Sequence, residues 1–96
     1  MYLYYWRSEL LRDFGAGHIL VAATSADGAR EKVLALYDPL DESSPAYEPY
    51  LACLKGCTDE QEYAEEYAAL LDTLARDLAV APTLITDAVV FIRGSA

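Results

Sequence analysis

Apolar and polar positions along the chain predict strands near both ends. The aromatic run 2–7 and the continuous apolar run 18–23 are typical of strands. A glycine-containing breaker separates them and no helical pattern lies between, so we expect antiparallel neighbours. A third strand is expected at 88–93, joining the same sheet beside the first.

Two helices are predicted after the second strand. The first is expected over 26–37. Thr24-Ser25 supplies its N-cap, and Thr24 followed by Asp27 matches a capping box with aspartate in place of the usual glutamate. The second is expected over 47–55, because Pro49 suits a first helical turn. Between them lies a loop rich in proline and serine.

The third predicted helix, 59–79, has the strongest pattern. A capping box of Thr58 and Gln61 opens it. Its apolar stripe, at helical spacing, consists of Tyr63, Tyr67, Leu70, Leu71, Leu74 and Leu78. The element order predicts one α+β domain over residues 1–96, with two or three helices on one face of a three-stranded sheet, antiparallel or mixed.

Net charge changes the picture because it is concentrated in one segment. The 96-residue chain has a formal net charge of −9. Residues 38–66, the acidic segment, hold nine acids against Lys55 alone, a net charge of −8. Direct nucleic-acid binding is not expected, because phosphates need a cationic surface. The expected partner is a basic protein surface.

Tyrosines accompany these acids. Tyrosine supplies contact area at low entropic cost, and rings beside carboxylates suit Arg and Lys. Tyr63 and Tyr67 are expected in the core, whereas Tyr47 and Tyr50 are open to a core or an interface role. The predicted partner-binding residues are Asp38, Asp41, Glu42, Tyr47, Glu48, Tyr50, Asp59, Glu60, Glu62, Glu65 and Glu66.

Candidate catalytic residues are few. His18 is the single histidine, and a general base needs an orienting partner, so a structural or surface role is expected. Cys53 and Cys57 would share a helix face, but tetrahedral zinc needs two further ligands. Buried free thiols are therefore expected. We expect no enzymatic activity, cofactor or metal, and keep a small metal- or thiol-dependent enzyme built on these three residues as an alternative.

The carboxylates Asp59, Glu62 and Glu66 share one helix face. Paired acids serve glycosidases and metal sites, but this run lacks the alternating oxygen ligands and mid-loop glycine of an EF-hand. Two interpretations stay open. The acids form a solvated helix face, or they form a functional anionic surface.

The start of the chain indicates a location. Met1 precedes an aromatic run that lacks the basic start and cleavage site of a signal peptide. No apolar run approaches the ~20 residues that span a membrane, and two cysteines are too few for a disulfide scaffold. We expect a complete short cytoplasmic protein without a membrane partner.

The strand 2–6, the strand-to-helix junction 22–30 and the ending 88–96 resemble short acidic proteins encoded by bacteriophages and prophages. In size, acidity and lack of catalytic motifs the chain is similar to anti-CRISPR proteins and other inhibitors of host defence. The resemblance implies a nucleic-acid mimic in the host bacterial cytoplasm that occupies the nucleic-acid groove of its target. No motif defines this group, so the resemblance transfers no site residue.

The expected function is a non-enzymatic inhibitor or adaptor whose acidic segment blocks a basic, nucleic-acid-binding site on a partner protein. The alternative from the structural class is a homo-oligomeric accessory protein. Its copies, in the simplest case a homodimer, would pair through an exposed sheet edge or through the Tyr-rich first strand.

Overall fold

Three antiparallel strands form one sheet in the computed structural model, which describes residues 1–12, 15, 17–57 and 59–85. The strands are β1, Tyr2–Ser8, β2, Gly17–Ala23, and β3, Thr83–Ile85. Their order is β2-β1-β3, with both pairings antiparallel. The predicted α+β class and element order are confirmed, and the third strand lies beside the first. The strand predicted at 88–93 lies outside the described residues.

The helices are α1, Ala26–Leu36, α2, Pro49–Gly56, and α3, Glu60–Ala79. Pro49 occupies the first turn of α2, as predicted. A proline there removes an N–H that has no partner within the helix anyway.

The predicted helix caps need correction. Of the predicted pair Thr24-Ser25, the N-cap of α1 is Ser25, whose hydroxyl accepts from the Gly28 N–H at 3.0 Å, so the capping box assigned to Thr24 and Asp27 is wrong. Ser25 has the same donor-accepting chemistry and lies at the residue where extended backbone turns into helix. The N-cap of α3 is Asp59, which accepts from the Glu62 N–H at 3.1 Å. Thr58 lies outside the described residues.

One face of the sheet carries the core. Residues that point to this face alternate along β1 and pair across β2, as strand geometry requires. Helices α1 and α3 cover the same face. The buried cluster consists of Tyr4, Trp6, Val21, Ala29, Leu74 and Leu78. The prediction that helices cover one face therefore holds for α1 and α3, while α2 packs on α3.

The carboxyl end of α3 is tied to the sheet by side chains. The last carbonyls of a helix have no partner within it. Here the Trp6 indole N–H donates to the Val80 carbonyl at 2.8 Å, and Arg30 Nε–H donates to the Leu78 carbonyl at 2.7 Å. The Arg30 guanidinium also lies 5.7 Å from the Trp6 ring centroid, within cation–π range. Strand β1, helix α1 and helix α3 are thereby fixed together.

Strand β1 lies between the other two strands. It pairs with β2 along its whole length and with β3 from Leu3 to Tyr5. Strand pairing by another copy along residues 3–5 of β1 would therefore have to displace a neighbour.

Candidate functional site

Several predicted partner-binding carboxylates also hold their own local structure. Asp38 accepts from the Leu40 N–H at 3.1 Å, and Glu48 caps α2 by accepting from the Tyr50 N–H at 3.2 Å. Asp41 accepts from both the backbone N–H and the hydroxyl of Ser43. The hydrogen bond from the Ser43 N–H, followed by that from its hydroxyl, lowers the pKa of Asp41. These acids stabilise turns or cap a helix, and their remaining hydrogen-bonding capacity faces solvent.

The first turns of α3 bring four of the predicted acids together. Asp59, Glu62, Glu65 and Glu66 line one shallow concave patch with Gln61, whose amide donates to Glu65 at 3.3 Å. The expected shared face of Asp59, Glu62 and Glu66 is therefore present. Residues three and four apart meet on a helix surface, which explains the clustering. We call this set the α3 acidic patch.

Tyr50 connects α2 to the α3 acidic patch. Its hydroxyl donates to Glu62 Oε1 at 2.7 Å, and 53% of its surface is exposed. This hydrogen bond, together with the negative charge of Glu62, raises the pKa of Tyr50. An exposed ring beside carboxylates is an arrangement that can receive a guanidinium through ion-pair and cation–π contacts.

The acidic segment contains no ion pair among the described residues. The three ion pairs among the described residues lie outside this segment and join Arg12 to Glu9, Arg30 to Asp27 and Arg76 to Asp72. Each joins residues three or four apart in sequence. The net charge of the segment is therefore not neutralised within the described part of the chain.

A second tyrosine group lies where the loop after α1 meets α3. Burial, followed by the charges of Tyr67 and Glu48, raises the pKa of Tyr37 to about 12. The rings of Tyr63 and Tyr67 lie 5.9 Å apart. Both are half-buried rather than part of the buried core, so α3 contributes fully buried apolar side chains only from Leu74 onward.

The remaining predicted residues are more dispersed. Glu42 and Glu60 are exposed, and Tyr47 is half-buried beside Glu48 in a shallow cavity bordered by Tyr37. Glu48 lines that cavity and not the α3 acidic patch. The structure thus brings together the α3 acids and Tyr50. It leaves Asp38, Asp41 and Glu42 exposed and Glu48 half-buried outside the patch.

The histidine and the cysteines do not form a centre. The His18 ring is exposed, stacks on Tyr5 and shares a 2.7 Å hydrogen bond with its hydroxyl through Nδ1. Cys53 and Cys57 are free, as expected, but both are exposed, so the prediction of buried thiols is wrong. Cys53 lies on the short helix α2, and Cys57 is its C-cap.

The charge of Cys53 raises the pKa of Cys57, with smaller effects from burial, a hydrogen bond to Cys53 and nearby carboxylates. A raised pKa reduces the thiolate fraction, which is the nucleophilic form. Across residues 1–12, 15, 17–57 and 59–85, no three His, Cys, Asp or Glu side chains are grouped to hold a metal ion. The alternative of a thiol or metal enzyme gains no support from this arrangement.

Sequence reasoning missed Asp77. Only 7% exposed, it accepts from the Ser8 hydroxyl at 2.7 Å and from the N–H groups of Glu9 at 3.0 Å and Leu10 at 3.2 Å. The signal was its position, since Asp77 lies three residues after Leu74 on the apolar stripe of α3. An acid on a core-facing stripe has to find hydrogen-bond donors there.

Comparisons with known proteins found no match to a family model, a curated protein or a solved structure. None of the helices in the described ranges combines the length and the apolar character needed to cross a membrane. Function is therefore inferred from the fold and the geometry of the site.

Proposed function

We propose that this chain is a non-enzymatic inhibitor that binds a basic surface of a partner protein through its acidic segment. The observation that carries the proposal is the net charge of −8 in residues 38–66 combined with the absence of ion pairs there among the described residues.

Unpaired surface carboxylates favour association in two ways. They create a negative field that steers a cationic partner toward the segment. They also need not break an internal ion pair before they contact Arg or Lys of the partner. The α3 acidic patch and the exposed ring of Tyr50 supply both charge and aromatic contact area at one place.

The partner we propose is a nucleic-acid-binding protein, since a surface that binds phosphates is strongly basic. In this role the acidic segment acts as a nucleic-acid mimic. The resemblance to anti-CRISPR proteins supports the finer proposal that the target is a host-defence effector complex in a bacterial cytoplasm.

The test uses charge reversal within the α3 acidic patch. The variant Glu65→Lys/Glu66→Lys changes two exposed carboxylates and leaves the Tyr50–Glu62 hydrogen bond intact. The matched control, Glu9→Lys/Glu31→Lys, makes the same change in net charge at exposed positions outside the acidic segment. Affinity capture from a bacterial lysate followed by mass spectrometry identifies the partner, and inhibition of nucleic-acid binding by that partner is then measured.

We expect capture of the partner and inhibition of its nucleic-acid binding to be at least about tenfold weaker with the patch variant, because reversed charges repel a basic surface. Capture by the unmodified chain should weaken as salt rises from about 0.05 to about 0.5 M, since screening shortens the Debye length. The control should behave like the unmodified chain. Equal activity of the two variants, or a captured partner without a basic surface, would contradict the proposal.

A further inference from the structure

A groove runs along the outer edge of β2, on the side away from β1. It encloses about 250 Å³. Four consecutive strand residues, 18–21, form one wall, and α1 with Tyr37 forms a second. Residues 44–46, Leu10, Leu11 and the buried Leu74 complete the lining. Because side chains alternate between the two faces of a sheet, four consecutive residues can line one groove only along the strand edge.

Nothing in the described part of the chain pairs with this edge of β2. Edge strands of natural proteins are usually shielded by charged side chains, prolines, bulges, a short length, or a helix or loop that covers the edge. Strand β2 is seven residues long and contains no proline, lysine, arginine or carboxylate. Helix α1, with Lys32, and residues 44–46 flank its edge and leave the groove between them. Such an edge can accept another strand through backbone hydrogen bonds.

The helix wall of the groove is apolar with one cation. Val33 is half-buried there, and Leu36 is exposed over 70% of its surface. Lys32 Nζ donates to the Ala22 carbonyl at 3.1 Å, which holds its ammonium at the strand edge. Among the described residues no Asp or Glu lines the groove, although the whole chain carries −9. Among the described residues Lys32 is therefore the one Lys, Arg, Asp or Glu that lines the groove, although residues 44–46 of its wall belong to the acidic segment.

We propose that the groove binds an extended peptide segment of another protein, which adds as a strand to β2 and carries a carboxylate toward Lys32. Alternate apolar side chains of the peptide would contact Val33 and Leu36. The carboxylate is either the C-terminus of the peptide or an acidic side chain, since both offer the same group to the ammonium.

A second copy of the chain is a poorer occupant. Pairing of two β2 edges would bury on each copy a strip roughly 23 Å long and about 10 Å wide. The total falls well below the ~1,000 Å² expected of a specific interface. Two chains of net charge −9 also repel each other.

The experiment titrates the isotope-labelled protein with three acetylated peptides of alternating threonine and valine and follows backbone amide signals by NMR. One peptide ends in a free carboxylate, one ends in an amide, and one ends in an amide but contains a glutamate. We expect shifts concentrated at residues 18–21 with all three. If the peptide with the free C-terminus binds more tightly, a C-terminal carboxylate is preferred. If the peptide with the glutamate binds more tightly, a side-chain carboxylate is preferred.

Three variants test the assignment. Lys32→Ala should weaken binding of the two peptides that carry a carboxylate by about fivefold, the range of one exposed ion pair. Binding of the peptide without a carboxylate should not change. Leu36→Glu, at an exposed position, should weaken all three peptides. Lys55→Ala, an exposed lysine on α2 outside the groove, should change none.

Three results would overturn the proposal. The first is an absence of shifts at residues 18–21. The second is an equal effect of Lys32→Ala on every peptide. The third is a dimer in light scattering whose formation alone shifts these signals, because a second copy would then be the occupant.

Discussion

Carboxylates near the two ends of α3 have opposite environments. Toward the carboxyl end, Asp77 is buried and accepts hydrogen bonds from the Ser8 hydroxyl and two backbone N–H groups. Toward the amino end, Glu65 and Glu66 are exposed, and no ion pair joins them to a cation among the described residues. The same carboxylate group therefore stabilises the fold near one end of α3 and is exposed to solvent near the other.

The difference shows how burial decides the role of a charged group. A buried carboxylate persists only if donors replace the water that it loses, so Asp77 and its donors depend on one another. An exposed carboxylate keeps its hydration and adds little to stability. Mutations at the carboxyl end of α3 should therefore lower the stability of the fold, whereas mutations at the acidic end should weaken binding.

The largest expected effect is from Asp77→Ala. It removes an acceptor that organises the turn after β1 and leaves buried donors on Ser8 and the following backbone without a partner. Hydrogen bonds to a charged group are worth about 1.5–3 kcal/mol each, and losses within one network are not additive. We expect the free energy of unfolding in urea to fall by about 3 kcal/mol.

Asp72→Ala is the matched control on the same helix. Asp72 is exposed and pairs with Arg76 one turn later, a contact worth about 0.3–0.5 kcal/mol. If the two variants lost equal stability, the contrast between a buried and a solvated carboxylate would be wrong. An Asp77→Asn variant should fall between them, since an amide retains one acceptor oxygen.

Much of the fold could be predicted because its elements are encoded locally. The aromatic β1, the apolar β2 and the stripe of α3 each have the period of their element, and Pro49 marks where α2 begins. Errors occurred where neighbouring residues have equivalent chemistry. Thr24 and Ser25 can both cap a helix, and only the backbone conformation at Ser25 selects it.

The site was less predictable because its contacts are distant in sequence. Charge counting found the acidic segment, but it could not show that Tyr50 reaches Glu62 or that the loop acids stand apart from the α3 acidic patch. Sequence reasoning made no prediction for Asp77, because its hydrogen-bond donors lie almost seventy residues earlier. The solvent exposure of Cys53 and Cys57 depends on which face α2 turns to α3.

A smaller effect is expected from Gly17→Ala, at the β2 end that pairs with Ser8. A Cβ there would overlap the side chain of Leu11 and lie 2.6 Å from its backbone carbonyl. Overpacking of this kind costs about 1–3 kcal/mol. Gly56→Ala, in the acidic segment, would meet nothing within 4 Å and should be neutral or slightly stabilising. Urea unfolding of both variants tests whether tight packing is confined to the β1–β2 end. A loss of stability with Gly56→Ala would show that packing is also tight at the end of α2.

The smallest effect concerns the Tyr50–Glu62 contact. Glu62 raises the pKa of Tyr50 because its carboxylate accepts a hydrogen bond from the phenol O–H and disfavours a second negative charge nearby. Glu62→Gln removes that charge, so the pKa of Tyr50 should fall toward the ordinary tyrosine value. Resonances of the Tyr50 ring, followed by NMR as pH rises, measure this change. Glu60→Gln, at an exposed neighbour, should leave it unaltered. Because the Tyr50–Glu62 hydrogen bond and the Glu60 side chain are exposed to solvent, neither substitution should measurably change urea unfolding at neutral pH. A marked loss with Glu62→Gln would mean that the α3 acidic patch is structural, as Asp77 is.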